Sequence, residues 1–315
     1  MIFRSLIIFP FLWGVALDKY PITTQTINSI EQEMKIVPSI ILFFLQWPSS
    51  PNNGEFPKNS LNSIWDQGAI PVLTWEPMFY EHKIENMIHF QDILNGKYDS
   101  YLKMFAQGSI AFGNPFIIRF AHEMNLSRYH WGTNDKEYNE KSPEIYIKMF
   151  RYIVSLFRKE GANKVLFAFC PNAESVPSTS WNAIKNYYPG DDYVNILGMD
   201  GYNWGTTQTV EKNGWKSNWK SFDEIFLQVY KDLKLISKTK PLLIFETSSA
   251  NLGGIKRDWF KNAIDTVQKW EVQGIVWFQV NKEIDWRINT EIDTFYSSIL
   301  RNLISPSQAW IKNIK

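Results

Sequence analysis

FIIRFAHE, at residues 116–123, is a short apolar run that ends in polar residues. Near-continuous apolar character is typical of a strand that is covered on both faces, as in a parallel sheet surrounded by helices. Its carboxyl end carries Arg119, His122 and Glu123, and Asn125 follows shortly after. Closed barrels of parallel strands place their functional side chains at this end. The segment therefore predicts a buried strand and part of a site.

Seven other segments have the same character, and each is followed by a turn and a longer stretch with helical periodicity. Predicted helices include residues 142–161, 221–237, 254–270 and 291–303. The seven further strand segments are FLWGVAL (11–17), SIILFFLQW (39–47), IPVLTWEP (70–77), VLFAFCPN (165–172), VNILGMDGYNW (194–204), PLLIFET (241–247) and GIVWFQVN (274–281).

Eight repeated strand and helix units indicate an α/β fold. An open, doubly wound sheet would also bury its strands on both faces, but the number eight and the polar strand ends favour a closed barrel. Such a barrel typically needs about 250 residues, fewer than the 315 of this chain. We therefore predict one (β/α)₈ TIM barrel domain over residues 1–315, with its active site at the carboxyl ends of the strands.

The amino-terminal segment MIFRSLIIFPFLWGVALDKYP has two interpretations. One basic residue before an apolar run is typical of a short signal or anchor segment, which would include residues 1–10. The same segment supplies the first strand, which cleavage after Ala16 would remove. The signal interpretation favours a secreted or cell-envelope location over a cytoplasmic one. The single cysteine, Cys170, excludes an internal disulfide.

The composition narrows the class of ligand. The chain has 33 basic and 32 acidic residues, so its formal charge of +1 does not favour nucleic acid or an anionic membrane as a partner. Its 14 tryptophans and 16% aromatic content favour carbohydrate, because indole faces pack against the C–H faces of sugars. The 4 histidines lack metal-ligand spacing, and no glycine-rich phosphate loop precedes a helix. We expect no metal, no nucleotide or other cofactor, and a monomer.

Glu123 and Glu246 end the predicted strands four and seven, which lie across a barrel of only eight strands, so their side chains can converge. Retaining glycoside hydrolysis uses two such carboxyls: one protonates the leaving oxygen, and the other attacks the anomeric carbon. Arg119 is predicted to hydrogen-bond Glu246 across the barrel, and Tyr202 to hold it in position. Either glutamate alone could be a structural partner of Arg119, but the pair favours catalysis.

Three segments, IRFAHEMN, YYPGDDYVNILGMDGYNWG and VWFQVNKEIDWRI, resemble the corresponding blocks of glycoside hydrolase family 26, and the similarity extends over residues 70–290. Members of that family are retaining glycosidases on this barrel. The resemblance implies that Glu123 is the acid/base and Glu246 the nucleophile. It also implies sugar contacts for His122, Tyr202, Trp277, Trp75, Asn172 and Trp204.

Two positions depart from the family pattern. After HEMN the family usually has an aromatic residue where this chain has Arg128, and Tyr129 or Trp131 could supply the sugar contact instead. Cys170 stands where a small hydroxyl residue is more usual, and we interpret it as a buried thiol. Asp200 either contacts sugar hydroxyls or, as we favour, caps the turn after its strand. Each candidate tryptophan has core packing as its alternative.

These features predict a retaining, endo-acting β-glycan hydrolase that acts on a β-linked polysaccharide or oligosaccharide. Many members of the family are endo-β-mannanases, so a mannan endo-β-mannosidase is the first expectation. Mixed-linkage β-glucanase and β-xylanase are alternatives within the family. A carbohydrate-binding barrel without turnover is an alternative of another class, and a transglycosylase would use a sugar in place of water as acceptor.

Overall fold

The predicted strands form a closed barrel in the computed structural model, which describes residues 11–133, 138–288, 294–301, 303 and 307–314. Each predicted segment contains one strand, and neighbouring strands are parallel. The (β/α)₈ fold is confirmed. The barrel strands are β1 (Leu12–Leu17), β2 (Ile40–Gln46), β3 (Ile70–Glu76), β4 (Phe116–Phe120), β5 (Val165–Phe169), β6 (Ile196–Asn203), β7 (Leu242–Ser249) and β8 (Gly274–Phe278).

The amino-terminal segment supplies the strand that closes the barrel. β1 pairs with β8 on one side and with β2 on the other. Gly14 is required in β1 because a Cβ at this position would stand 2.6 Å from the Cβ of Ile40. The interpretation of residues 11–17 as strand one is confirmed, whereas residues 1–10, to which a signal or anchor was attributed, lie outside the described residues.

Helices pack around the barrel. They are α1 (Thr24–Met34), α2 (Lys58–Asp66), α3 (Phe90–Leu94), α4 (Asp99–Phe112), α5 (Ser142–Lys159), α6 (Val210–Asn213), α7 (Phe222–Ile236), α8 (Lys256–Lys269), α9 (Thr294–Leu300) and α10 (Ser307–Lys312). The four predicted helices correspond to α5, α7, α8 and, in its described part, α9. None of the helices in the described ranges is long and apolar enough to cross a membrane.

Two connections differ from the expected strand and helix repeat. Between β5 and β6 the expected helix is replaced by a loop with one 3₁₀ turn, Ile184–Tyr187. Pro177 and Pro189 interrupt this loop, and proline cannot continue a helix because it lacks the amide donor. After β3, an antiparallel hairpin of Met78–Glu81 and Ile84–Met87 stands at the carboxyl end of the barrel.

Side chains alternate between two apolar layers along each strand. One layer fills the barrel interior and includes Ala16, Leu42 and Val72. The other lies between the strands and the helices and includes Leu17, Phe43 and Leu73, their neighbours in sequence. A residue's place in this alternation therefore decides whether it can reach the barrel mouth.

Trp75 and Trp277 belong to the outer layer and have no exposed surface. Thr74, the neighbour of Trp75, accepts hydrogen bonds from the interior side chain of Arg119. Trp75 therefore points outward, where its Nε1 donates to Tyr101 Oη over 3.0 Å. Trp277 likewise packs against Phe260, with ring centroids 5.4 Å apart. The sugar contacts predicted for these two tryptophans are not supported, because a fully buried indole has no face to offer a sugar ring.

We expect Trp75→Ala to lower the free energy of unfolding by about 3–5 kcal/mol, because it deletes a fully buried indole and leaves a cavity. Trp204→Ala, in a half-buried ring at the barrel mouth, is the matched control and should cost much less. Urea unfolding followed by circular dichroism measures both. Equal losses would contradict the core position of Trp75.

Candidate active site

The side chain of Glu246 points into the barrel mouth because β7 is irregular at this position. Met199 of β6 lies opposite Ile244, but the next residue, Asp200, lies opposite Glu246, so β7 has one extra residue at this level. As a result, Phe245 packs in the barrel interior and the adjacent Glu246 also reaches interior partners. Such bulges commonly re-aim a side chain beside an active site.

Two hydrogen-bond donors hold the carboxylate of Glu246. The guanidinium of Arg119 donates to Oε1 and forms an ion pair with it, and Tyr202 Oη donates to Oε2 over 2.6 Å. These are the two partners predicted from the sequence. Each carboxylate oxygen thus faces a donor, as an ionised carboxylate requires because it can only accept.

Arg119 is fully buried and connects four strands. Its Nη1 donates to Asp200 Oδ2 over 2.6 Å, and its Nε and Nη2 donate to Thr74 Oγ1 over 3.0 and 2.8 Å. With Glu246, the cation has two carboxylate partners. The favoured prediction that Asp200 caps a turn is wrong. Asp200 forms a buried ion pair, because a guanidinium without solvent needs a compensating charge.

Glu123 follows β4 in a left-handed backbone conformation with a φ of 51°. This conformation costs a residue with a side chain about 1–2 kcal/mol, and a hydrogen bond of 2.9 Å from its amide to Cys170 O helps to hold it. Its buried carboxyl accepts from Asn172 Nδ2 over 2.6 Å. Burial and the nearby negative charge of Glu246 raise the pKa of Glu123 to about 7. Glu123 therefore keeps its proton where a solvated carboxyl would have lost it.

Asn125, the last residue of the HEMN motif, positions Asn172. Its Nδ2 donates to Asn172 O, and its Oδ1 accepts from the Asn172 amide, each over 2.9 Å. This reciprocal pair fixes the backbone of Asn172. The side-chain amide of Asn172 is thereby held where it can donate to Glu123.

His122 is buried beside Glu246. Its Nε2 lies 3.1 Å from Tyr129 Oη and 3.9 Å from Glu246 Oε1. Burial, together with the charge of Arg119, lowers the pKa of His122 well below its ordinary value. The imidazole is therefore neutral at neutral pH and acts as a hydrogen-bonding group rather than as a cation.

Trp131 is a buried residue that hydrogen-bonds the backbone of His122. Its Nε1 donates to His122 O over 2.7 Å, and its buried ring stacks on Tyr129 with centroids 4.6 Å apart and 10° between the planes. The sugar contact predicted for Trp131 is not supported, because the ring has almost no exposed surface. Tyr129 also lies near enough to Glu123 to lower the pKa of that carboxyl.

Comparison with known proteins identifies the family. The sequence profile of glycosyl hydrolase family 26 matches residues 95–273. The chain belongs to glycosyl hydrolase family 26. Endoglucanase H of Acetivibrio thermocellus is 38% identical over 231 residues, which cover 73% of this chain and 24% of that protein. A mannan endo-1,4-beta-mannosidase of Bacillus subtilis is 28% identical over 230 residues, covering 65% of this chain and 55% of that protein. The chain thus spans less than two thirds of either relative.

Solved structures share the barrel of this family 26 chain. The YdhT protein from Bacillus subtilis has a TM-score of 0.67 at 17% identity, covering 96% of this chain and 88% of that one. A modular endo-beta-1,4-mannanase from Cellulomonas fimi has a TM-score of 0.66 at 14% identity, covering 97% and 73%. At these identities the likeness concerns the fold.

Tyr202 and Trp204 are half-buried at the mouth of the family 26 barrel. The buried ring of Trp286 packs against both, with its centroid 5.0 Å from that of Tyr202 and 4.8 Å from that of Trp204. Of the tryptophans predicted to contact sugar, Trp204 is the one that keeps exposed surface here.

Arg128, where the family pattern has an aromatic residue, connects two segments at the mouth. Its Nη1 and Nη2 donate to the two carboxylate oxygens of Glu85 in the hairpin, over 2.9 and 2.8 Å. Its guanidinium also lies over the Tyr129 ring, 5.3 Å from the centroid. Arg128 therefore connects the hairpin to an aromatic residue that contacts Glu123.

Glu76 is a further carboxyl at the mouth, which the sequence motifs did not identify. It ends β3 and accepts a hydrogen bond from Gln46 Nε2 at the end of β2. Burial raises the pKa of Glu76 to about 7. Glu76 lies two residues after Thr74, which faces the interior, and side chains at this spacing share one face of a strand. This spacing could have identified Glu76 from the sequence.

Glu123→Gln should gain stability relative to wild type as the pH rises from 5 to 8. The carboxyl has a pKa of about 7 in the folded protein against an ordinary value of 4.5, so the unfolded state loses its proton first. The folded state is therefore penalised increasingly as the pH rises from about 4.5 to about 7, by at most about 3 kcal/mol. The glutamine variant avoids this penalty.

Urea unfolding of wild type, Glu123→Gln and the exposed control Glu211→Gln at both pH values measures this difference. The stability difference between the control and wild type should not change with pH. If the stability difference between Glu123→Gln and wild type is also independent of pH, the surroundings of Glu123 do not raise its pKa.

Proposed function

We propose that this chain hydrolyses β-linked glycans with retention of anomeric configuration, with Glu123 as acid/base and Glu246 as nucleophile. The contrast between the two carboxyls carries the proposal. Glu246 is held by a guanidinium and a phenol that both donate to it, whereas Glu123 is buried with a pKa of about 7. A double displacement requires this division between an ionised nucleophile and a protonated acid.

In the first step, a Glu246 oxygen attacks the anomeric carbon while the bond to the leaving oxygen breaks and Glu123 donates its proton to that oxygen. The product is a glycosyl ester on Glu246. In the second step, Glu123 takes a proton from water, the water oxygen attacks the anomeric carbon, and Glu246 leaves as a carboxylate. Two inversions give net retention.

The remaining residues supply binding and positioning in this proposal. Arg119 and Tyr202 orient the attacking carboxylate through the two hydrogen bonds described above. Asn172 and the exposed part of Trp204 offer a hydrogen bond and an apolar face to the sugar next to the reacting bond. The sugar contact predicted for His122 is not supported, because its side chain has no exposed surface, and its Nε2 lies against Tyr129 Oη instead. The intact set of partners around both carboxyls favours turnover over a barrel that only binds.

Two polymers compete as the substrate. β-Glucan is favoured by the relative named endoglucanase, at 38% identity against 28% for the relative named mannan endo-1,4-beta-mannosidase. β-Mannan is the first expectation from the sequence motifs. We propose endo-acting cleavage of β-glucan as the first candidate and of β-mannan as the second.

Reducing-sugar release from barley β-glucan, mannan, galactomannan and xylan identifies the polymer. We expect wild type to cut β-glucan or mannan. Glu123→Ala should lower kcat about 10²- to 10⁴-fold through loss of proton transfer, Glu246→Ala should abolish turnover, and the exposed control Glu144→Ala should behave as wild type. A wild type that binds one polymer but cuts none would support the non-catalytic barrel instead.

Reactions with added azide distinguish the roles of the two glutamates. The substrate is a 2,4-dinitrophenyl β-disaccharide built from the sugar of the polymer that wild type cuts. Dinitrophenolate leaves without protonation, so Glu123→Ala should still form the glycosyl ester, which azide opens to a β-glycosyl azide. In Glu246→Ala, azide should take the place of the nucleophile and give the α-glycosyl azide. Nuclear magnetic resonance of the anomeric proton reads the outcome, and exchanged products would reverse the two roles.

A further inference from the structure

Trp215 holds a large apolar ring in solvent on the loop between β6 and α7. Its side chain is 45% exposed, whereas Trp286, near it in space, is buried. A single exposed apolar side chain is common on protein surfaces, so the meaning of Trp215 depends on what surrounds it. None of the catalytic steps above uses this residue.

The loop that carries Trp215, residues 204–220, is closed by hydrogen bonds and is not loose. At its base, buried Asn203 Oδ1 accepts from the amides of Gly205 and Lys220, each over 3.1 Å. Further out, the Gln208 amide donates to Ser217 Oγ over 3.0 Å, and the Ser217 amide donates to Gln208 O over 3.2 Å. The backbone on both sides of Trp215 is therefore held, and its ring contacts that of Trp204.

The loop is also attached to its neighbour after β7. The Thr206 amide donates to Leu252 O over 3.1 Å, and Leu252 is itself an exposed apolar side chain. Gly205 permits this contact, because its φ is 54° and a Cβ there would stand 1.9 Å from Leu252 O. The two loops form one ordered surface beside the barrel mouth.

A continuous series of rings connects Trp215 to the site. The centroids of Trp215 and Trp204 are 5.5 Å apart with their planes at 81°, and Trp204 packs on Trp286, which packs on Tyr202. Tyr202 donates the hydrogen bond to Glu246. The series therefore leads from the proposed nucleophile, Glu246, to the surface.

We propose that Trp215, with the exposed part of Trp204, forms a binding platform for sugar units of a β-linked glycan that extends beyond the catalytic pair on the Glu246 side. The proposal rests on the proposed function, because it requires a glycan in the mouth. Indole faces bind the C–H face of a pyranose ring through apolar contact and need no charge. The two rings are nearly perpendicular, and the closed loop lowers the entropic cost of binding because its backbone is already ordered.

Kinetics on long and short substrates test the platform. The variants are Trp215→Ala, Trp215→Phe, which keeps an aromatic face, and Leu235→Ala, an 81% exposed apolar control on α7. Each is assayed on the polymer that wild type cuts and on the dinitrophenyl β-disaccharide. Trp215→Ala should raise KM for the polymer about three- to tenfold, at least threefold more than for the disaccharide. Trp215→Phe should recover most of this loss, and Leu235→Ala should match wild type on both.

Equal effects of Trp215→Ala on the two substrates, or no effect on the polymer, would overturn the platform and leave the proposed function intact. If wild type cuts no polymer, the proposed function fails and native gels cast with β-glucan or mannan test the platform alone. Retardation of wild type and of Leu235→Ala, but not of Trp215→Ala, would support it. Equal migration of wild type, Leu235→Ala and Trp215→Ala in both gels would overturn the platform.

Discussion

Arg119 carries a positive charge in the barrel mouth without access to solvent, beside Asp200 and Glu246. Removing such a charge from water costs several kcal/mol, and only close carboxylates and further hydrogen bonds offset this cost. Its partners Thr74, Asp200 and Glu246 belong to three other strands, so a register slip in any of them would remove a hydrogen-bond acceptor from a buried cation. The ion cluster and the register of the strands therefore stabilise each other, and the strands fix the positions of the side chains in the site.

The same cluster separates the two glutamates chemically. Glu246 shares the cation with Asp200 and takes a second donor from Tyr202, whereas Glu123 accepts from the neutral amide of Asn172. Burial therefore dominates at Glu123 and favours its neutral form. The cation, which pairs with Glu246, therefore gives two identical side chains different surroundings.

Aromatic residues serve two purposes that composition cannot separate. Trp75, Trp131 and Trp277 are buried, where they brace the helices or the backbone of His122. Trp204 and Trp215 keep exposed surface on the loop after β6. The alternation of side chains along a strand explains the difference for Trp75, because its interior-facing neighbour Thr74 forces it outward. The same alternation, counted along the strand from Thr74, places Trp75 in the apolar layer between the strands and the helices.

The sequence by itself determined the eight strands, the polar strand ends, the two glutamates and the partners of Glu246. These follow from local patterns, because apolar runs form buried strands and the barrel gathers their carboxyl ends. Only the tertiary structure decided that Asp200 neutralises Arg119, that Glu76 is buried, and that an extra residue in β7 directs Glu246 inward. Each of these depends on register and on partners far away in the chain, such as Arg119 and Asp200 at a separation of 81 residues. A linear pattern does not encode such pairings, because the energy of a buried charge depends on what the fold places around it.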